Sequence, residues 1–206
     1  MDAVHRPVQF TTRSDRSTTP SVGVWVGVAT ISMSFAAYTS ALVVRQGASG
    51  DWLHFRLPWI LYLDTALILA SSVTLERARR NQLPARADAA EGVIVLPGPV
   101  SRSIAGVNAT LALGLVFLIG QCIAWWQLAD QGLFLATNPS SAFFYILTAL
   151  HGLHVAGGLG GLLYARHRLG SGPVARARST LGAASLYWHF MAVLWLYVLL
   201  LFLVRL

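Results

Sequence analysis

The sequence predicts an all-α integral membrane protein, a bundle of five transmembrane helices with its N-terminus cytoplasmic and its C-terminus outside. Three observations carry this. Of 206 residues, 55% are hydrophobic and only 11% charged, with a mean hydropathy of +0.60, where an average soluble domain has about 25% charged residues. The apolar residues gather into runs close to the roughly 20 residues needed to cross a bilayer. The formal charge of +7 sits between those runs, on fifteen arginines and no lysine. Arginines in short loops read as membrane topology rather than as a nucleic-acid surface, so nucleic acid is not an expected partner. The single cysteine, Cys122, lies inside an apolar run and reads as a buried packing thiol, with no disulfide framework or Cys-based metal site.

Residues 1–21 read as a polar, disordered tail rich in Ser, Thr and Arg. The apolar run that starts at Val22 is too long for the core of a cleaved signal. Residues 22–206 form the membrane domain, with spans at about 22–44, 57–75, 103–128, 140–165 and 181–204. The first carries Gly23, Gly27, Thr30, Ser32, Ser34 and Ser40, which suit helix contact, and Pro58 fits the first turn of the second. A charged, Pro-containing loop, 76–102, separates the second and third spans, and an arginine-bearing loop, 166–180, separates the last two. The tail and these two loops hold twelve arginines, against three on the opposite side (Arg45, Arg56 and Arg205). By the positive-inside rule the N-terminus is therefore cytoplasmic. Trp52, Trp59, Trp125 and Trp126 then lie near the outer helix ends, as an interfacial belt would place them.

Four ionisable groups lie inside these spans, where each needs a physical reason. Asp64, His154 and His189 come to similar depths and His151 about one turn further out, so the four are placed to meet in one polar cluster that fixes helix register. The competing reading is that each finds its own hydrogen bond on a neighbouring helix, with Ser71, Ser72, Thr74, Thr110, Gln121 and Thr148 as available partners. A third reading is a ligand set for a metal or haem, since neutral imidazole binds both; a haem sandwich needs facing helices, which leaves pairs such as His154 with His189. Gly152, Ala156 and Gly160 repeat at four-residue spacing with Gly157 and Gly161 beside them, a face on which another helix backbone can approach closely. No Gly-rich phosphate loop, Ser/His/Asp arrangement or soluble zinc motif is present, so hydrolytic and nucleotide chemistry have no support.

The motifs also resemble a family. Phe143-Phe144-x-x-Leu147-Thr148-x-x-His151-Gly152-Leu153-His154-Val155-x-x-Gly158 is similar to the signature of haem–copper oxidase subunit III. Tyr187-Trp188-His189-Phe190, followed by Val193 and Trp195, resembles that family's last helix. Leu57-Pro58 with Thr65, Ser71-Ser72 and Thr74 resembles an earlier one, and Gly114, Phe117-Leu118 and Gln121 the next. The resemblance runs from about Gly23 to the C-terminus and fits the short five-helix form. It implies a non-catalytic accessory subunit of a terminal oxidase in a bacterial cytoplasmic membrane. Such a chain has no cofactor of its own, docks beside subunit I, and holds phospholipid in a cleft between two helix groups. Haem and copper then reside in partner subunits, and the chain supports oxygen access, proton uptake and durability in turnover.

This chain departs from the family at Ile31, Ala124 and Ala192, where members commonly carry carboxylates, and Asp64 replaces a usual Asn. Carboxylate roles do not transfer to those positions. The alternatives are a related subunit of a nitric oxide reductase, a small membrane cytochrome or metal-dependent membrane enzyme using the His/Asp cluster, and a transporter. The last lacks an evident inverted repeat.

Overall fold

The computed structural model describes residues 19–48, 50, 52–81, 98–171 and 174–206. They form five helices: α1 (Thr19–Ala48), α2 (Ile60–Arg80), α3 (Gly98–Asp130), α4 (Pro139–Ser171) and α5 (Val174–Arg205). Four stretches, Val22–Ala48, Ser101–Asp130, Pro139–Gly170 and Ala177–Arg205, are long and apolar enough to cross a membrane. α2 is not among them, because Asp64 in its second turn and Glu76, Arg77, Arg79 and Arg80 in its last turns offset its apolar residues.

The helices outrun the spans read from hydropathy. Most of the loop expected at 166–180 is helical, since α4 continues to Ser171 and α5 begins at Val174. The apolar signal registers the hydrocarbon layer, whereas helical hydrogen bonds continue into the headgroup region, where arginine heads reach water from apolar stems. For the same reason α1 begins at Thr19, inside the expected tail, of which residues 1–18 lie outside the described residues, as do residues 82–97 of the long loop. Pro58 stands just before α2 rather than inside its first turn. Its carbonyl and that of Trp59 accept from Leu61 N (3.2 Å) and Tyr62 N (3.1 Å), which starts the helix tightly.

α2, α3, α4 and α5 form a ring in which each packs on the next and α5 closes on α2, with the α2–α3 seam the most extensive. α1 lies outside the ring, against α4 and α5. Paired contacts set directions. Asp64 meets Gln121 while Thr74 meets Thr110, so α2 and α3 are antiparallel; Thr39 meets Tyr197 while Gln46 meets Arg205, so α1 and α5 run parallel. Aromatic side chains fill the ring: Phe117, Phe144, Trp188, Trp195 and Phe202 are fully buried beside Leu61, Ile68 and Leu147. The outer faces are apolar too, with Leu63, Leu69 and Val73 on α2 and Leu115, Val116 and Ile119 on α3 exposed. A bundle apolar inside and out is what a lipid solvent selects, and there packing and hydrogen bonds, not the hydrophobic effect, hold helices together.

The connections follow local chemistry. α3 ends in a Schellman turn: Gly132 takes φ +77°, Gly132 N donates to Ala129 O (2.9 Å) and Leu133 N to Leu128 O (3.1 Å). Asn138 then caps α4, its Oδ1 accepting from Ser141 N at 2.9 Å, with Pro139 at the first helical position. The last carbonyls of α5 are also satisfied. Trp52 Nε1 (2.9 Å) and Gln46 Nε2 (3.3 Å) donate to Arg205 O, and Phe55 N donates to Leu206 O (3.2 Å).

Candidate functional site

α2 presents one buried stripe (Leu61, Asp64, Ile68, Ser71, Leu75, Ala78), spaced three and four apart, to the ring interior. Its polar members are hydrogen-bonding posts. Ser71 Oγ accepts from Trp188 Nε1 (3.0 Å) and donates to Ile68 O (2.7 Å). Six residues earlier, Thr65 Oγ1 accepts from Trp195 Nε1 (2.9 Å) and donates to Leu61 O (2.7 Å). Two indoles seven residues apart on α5 thus hang on two hydroxyls of α2, which fixes both depth and rotation. Toward α3, Thr74 and Thr110 share a 2.8 Å bond, and Gln121 Nε2 donates to Asp64 Oδ2 at 2.7 Å. Asp64 is fully buried, and its carboxyl presses on Gly120, where any Cβ would overlap it. Thr148 plays the same part on α4, accepting from Trp125 Nε1 (2.9 Å) and donating to Phe144 O (2.7 Å).

The expected cluster of Asp64, His151, His154 and His189 does not assemble. His151 is fully buried between Phe117 (ring centroids 5.8 Å) and Trp195 (5.2 Å), and neither ring nitrogen has a hydrogen-bond partner among the described residues. His154 turns the other way, toward α1: its ring meets Phe35 edge-on at 6.1 Å and its Nδ1 lies 2.6 Å from Leu150 O. His189 lies at the rim, Nε2 3.8 Å from Glu76 Oε2. The depth count itself fails for His189, whose neighbour Trp188 meets Ser71, seven residues or about 10 Å along α2 from Asp64. Rotation separates the other two, because residues three apart on a helix differ by about 60° in direction, enough to put His151 in the ring and His154 on its flank. A haem sandwich between His154 and His189 does not fit, since one ring faces Phe35 and the other Glu76. No group of three or more His, Cys, Asp or Glu side chains converges among the described residues.

The glycine face is also corrected. Ala156, Gly157, Gly160 and Gly161 point outward, with open space where a Cβ would stand at the three glycines, and Gly152 is only lightly covered, by Leu118 at 3.7 Å. The packed glycine of α4 is Gly158. A Cβ there would lie 3.0 Å from Tyr187 and 3.3 Å from Trp188, and one at Gly114 of α3 would lie 2.6 Å from Trp188. Trp188 thus occupies a slot between Gly114 and Gly158. Four-residue spacing gave the right motif on the wrong side of the helix, because the aromatic partners that select the buried face are on other helices. Cys122 is exposed rather than buried, which a weakly polar thiol facing hydrocarbon tolerates. Sequence reasoning passed over Gly120 and the Trp195–Thr65 bond; a Gly directly before a polar Gln at mid-span was the available signal for the first.

Ile31, Ala124 and Ala192, the positions without their usual carboxylates, are all buried among apolar neighbours. The carboxylate at the end of α2 is held differently. Glu76 Oε2 accepts from Arg79 Nε (2.9 Å), and Oε1 accepts from Arg79 Nη2 (2.9 Å) and Arg80 Nε (2.8 Å).

Comparison with known proteins follows the same helices. A sequence model of the family "Cytochrome c oxidase subunit III" matches residues 30–204. A Mycobacterium leprae protein named "Probable cytochrome c oxidase subunit 3" is 37% identical over 91 residues, 42% of this chain and 44% of that relative, so this match spans under half of the relative's length. "Cytochrome c oxidase subunit 3" of Corynebacterium diphtheriae is 27% identical over 79% of this chain and 74% of its own. "Cytochrome bo(3) ubiquinol oxidase subunit 3" of Pseudomonas aeruginosa is 29% identical over 85% of this chain and 80% of its own. With the matched region extending from mid-α1 to the end of α5, the chain belongs to the cytochrome c oxidase subunit III family.

Proposed function

We propose that this chain is an accessory, non-catalytic subunit of a bacterial haem–copper terminal oxidase, docked beside the catalytic subunit I and in contact with phospholipid. Haem and copper then belong to its partners, and oxygen reduction and proton translocation to the complex. The observation that carries the reading is the family match along residues 30–204, laid over a ring interior in which buried indoles, hydroxyls and an amide lock neighbouring helices. Trp188 on Ser71, Trp195 on Thr65 and Gln121 on Asp64 hold a rigid body, and a rigid apolar body is what a supporting subunit offers a catalytic neighbour. In this reading α2 is the fifth span: its 21 residues rise about 31 Å, and its carboxyl at Asp64 is paired inside the ring. The arginine distribution supports a cytoplasmic N-terminus and an outer C-terminus, in the cytoplasmic membrane. The relatives are named for both cytochrome c and ubiquinol oxidases, and a donor site lies outside the roles assigned to this chain.

The test is to tag the chain, purify it gently in mild detergent, identify the co-purifying chains and record reduced-minus-oxidised spectra before and after separating it. The expected result is a haem–copper subunit I that takes all the haem with it. Haem remaining on the separated chain would overturn the accessory reading, and a nitric oxide reductase catalytic chain as partner would reassign the complex.

A further inference from the structure

One layer of the ring interior contains polar atoms that the helix-locking bonds do not use. Asp64 Oδ1, Gln121 Oε1 and both ring nitrogens of His151 are buried with no hydrogen-bond partner among the described residues. These side chains come from α2, α3 and α4, and the contacts around them place them at one level. Gln121 Nε2 donates to Asp64 Oδ2 at 2.7 Å. On α3, Gln121 stands one turn from Phe117, whose ring meets His151 (5.8 Å between centroids). It stands one turn the other way from Trp125, whose indole donates to Thr148 (2.9 Å), three residues before His151 on α4. Trp195 closes the layer from α5: it lies against the His151 ring (5.2 Å) and donates to Thr65, the neighbour of Asp64 in sequence. His151 is thus held between two aromatic rings at the level of the Asp64–Gln121 pair.

Direct pairing does not satisfy this set. An amide oxygen only accepts, as does a carboxylate oxygen, and a neutral imidazole brings one donor and one acceptor. Acceptors therefore outnumber donors, and a molecule with two O–H donors is what balances them. A buried water has those donors and makes about three hydrogen bonds, to polar groups that protein alone leaves unsatisfied. We propose that the ring interior binds one water molecule at this layer, which accepts from the His151 imidazole N–H and donates to Gln121 Oε1 and Asp64 Oδ1. Three bonds result, leaving one imidazole nitrogen as a bare acceptor, and they join α4 to the α2–α3 seam. An apolar ring would fill the space between Phe117 and Trp195 equally well, so the water accounts for a histidine there. The site rests on the packing of this chain and not on the identity of its partners.

The test uses the assembled complex, purified through a tag on this chain. Electron cryo-microscopy at a resolution that shows ordered water is expected to reveal one density peak within hydrogen-bonding distance of a His151 ring nitrogen, Gln121 Oε1 and Asp64 Oδ1. No peak there, a His151 nitrogen bonded directly to protein, or its N–H turned onto the Phe117 face overturns the site. Hydroxyl-radical footprinting by X-ray pulses reads the same water independently, since radicals form where water is bound. Trp195 and Trp188 are both fully buried and both bonded through Nε1. Trp195 borders the proposed water and is expected to oxidise several-fold faster than Trp188; equal rates overturn the proposal. His151→Phe keeps an aromatic ring between Phe117 and Trp195 while removing the donor, so the excess at Trp195 is expected to be lost. An excess that persists shows that His151 does not hold the water and overturns the assignment. Gln121→Met, which removes the amide oxygen, puts the same question where His151→Phe does not assemble, and there too a persistent excess overturns the site.

Discussion

The ring α2–α5 and the outlying α1 are built on different principles. In the ring, neighbouring helices are joined by bonds from indoles and amides to buried acceptors: Trp188 to Ser71, Trp195 to Thr65, Trp125 to Thr148 and Gln121 to Asp64. Among its described side chains α1 buries Ile31, Phe35 and Leu42 along one stripe, and several of its hydroxyls bond back to its own carbonyls, as Thr30 does to Val26 and Ser34 to Thr30. Its side-chain bonds to α5 among the described residues are Tyr197 to Thr39 (2.7 Å) and, at the far end, a reciprocal pair in which Arg205 Nη1 donates to Gln46 Oε1 and Gln46 Nε2 to Arg205 O (both 3.3 Å). In a solvent as apolar as the helices themselves the hydrophobic effect does not bind one helix to another, so close packing and hydrogen bonds set the strength of each seam. The ring is therefore the stable unit, and α1 is the element whose attachment responds to small changes.

Substitutions grade this contrast, and reversible unfolding of the detergent-solubilised chain, followed by circular dichroism during dodecyl sulfate titration, reads them. The largest effect belongs to Trp188→Ala. It empties the slot between Gly114 and Gly158 and leaves Ser71 without its donor, a loss of about 3–5 kcal/mol. An effect under 1 kcal/mol would show that the ring does not depend on this interlock. Next is Gly120→Ala, whose methyl would overlap the Asp64 carboxyl, for about 1–3 kcal/mol. Because the clash involves one partner, Asp64→Ala should relieve most of it. The double-mutant cycle is expected to show coupling above about 0.5 kcal/mol, and additivity would remove the Gly120–Asp64 contact as the cause.

How far the sequence reaches is visible in the same residues. The helices and the outward apolar faces follow from run length and composition, and the cap at Asn138–Pro139 and the turn at Gly132 have local chemistry that any reader of the chain can find. The partners of Asp64 and Trp188 have no such local signal. Gln121 and Ser71 were among the available acceptors and donors, but which one each group meets depends on the rotation of one helix against another. A depth count carries no information about rotation. His151 and His154 show the cost: three residues apart and equally apolar in context, they face opposite neighbours. The glycines fail for the same reason, since Gly157 and Gly158 are adjacent and only Gly158 meets Tyr187 and Trp188.

Smaller changes sharpen the comparison at α1. Tyr197→Phe removes the phenol that donates to Thr39 and leaves the ring untouched. Bonds of this kind inside membranes average about 0.6 kcal/mol, so global unfolding should shift by about that amount or less. Limited proteolysis at the α1–α2 connection should become faster, since α1 loses one of its few ties. Unaltered cleavage would mean that apolar contact at Ile31, Phe35 and Leu42 is sufficient to hold α1, against the distinction drawn between it and the ring.

The smallest expected effect is also the most discriminating for α4. Gly160→Ala places a methyl where nothing lies within 4 Å, so in the isolated chain it should cost no stability and gain at most the helix-propensity difference of about 1 kcal/mol. Gly158→Ala, two residues away, forces Tyr187 and Trp188 to give by a few tenths of an ångström and should leave the chain less stable than Gly160→Ala by about 1 kcal/mol or more. Both substitutions replace glycine by alanine in one helix at neighbouring depths, so intrinsic helix propensity cancels between them and the difference reports packing alone. Equal effects would mean that α4 is rotated relative to α5, and the slot that holds Trp188 would have to be redrawn.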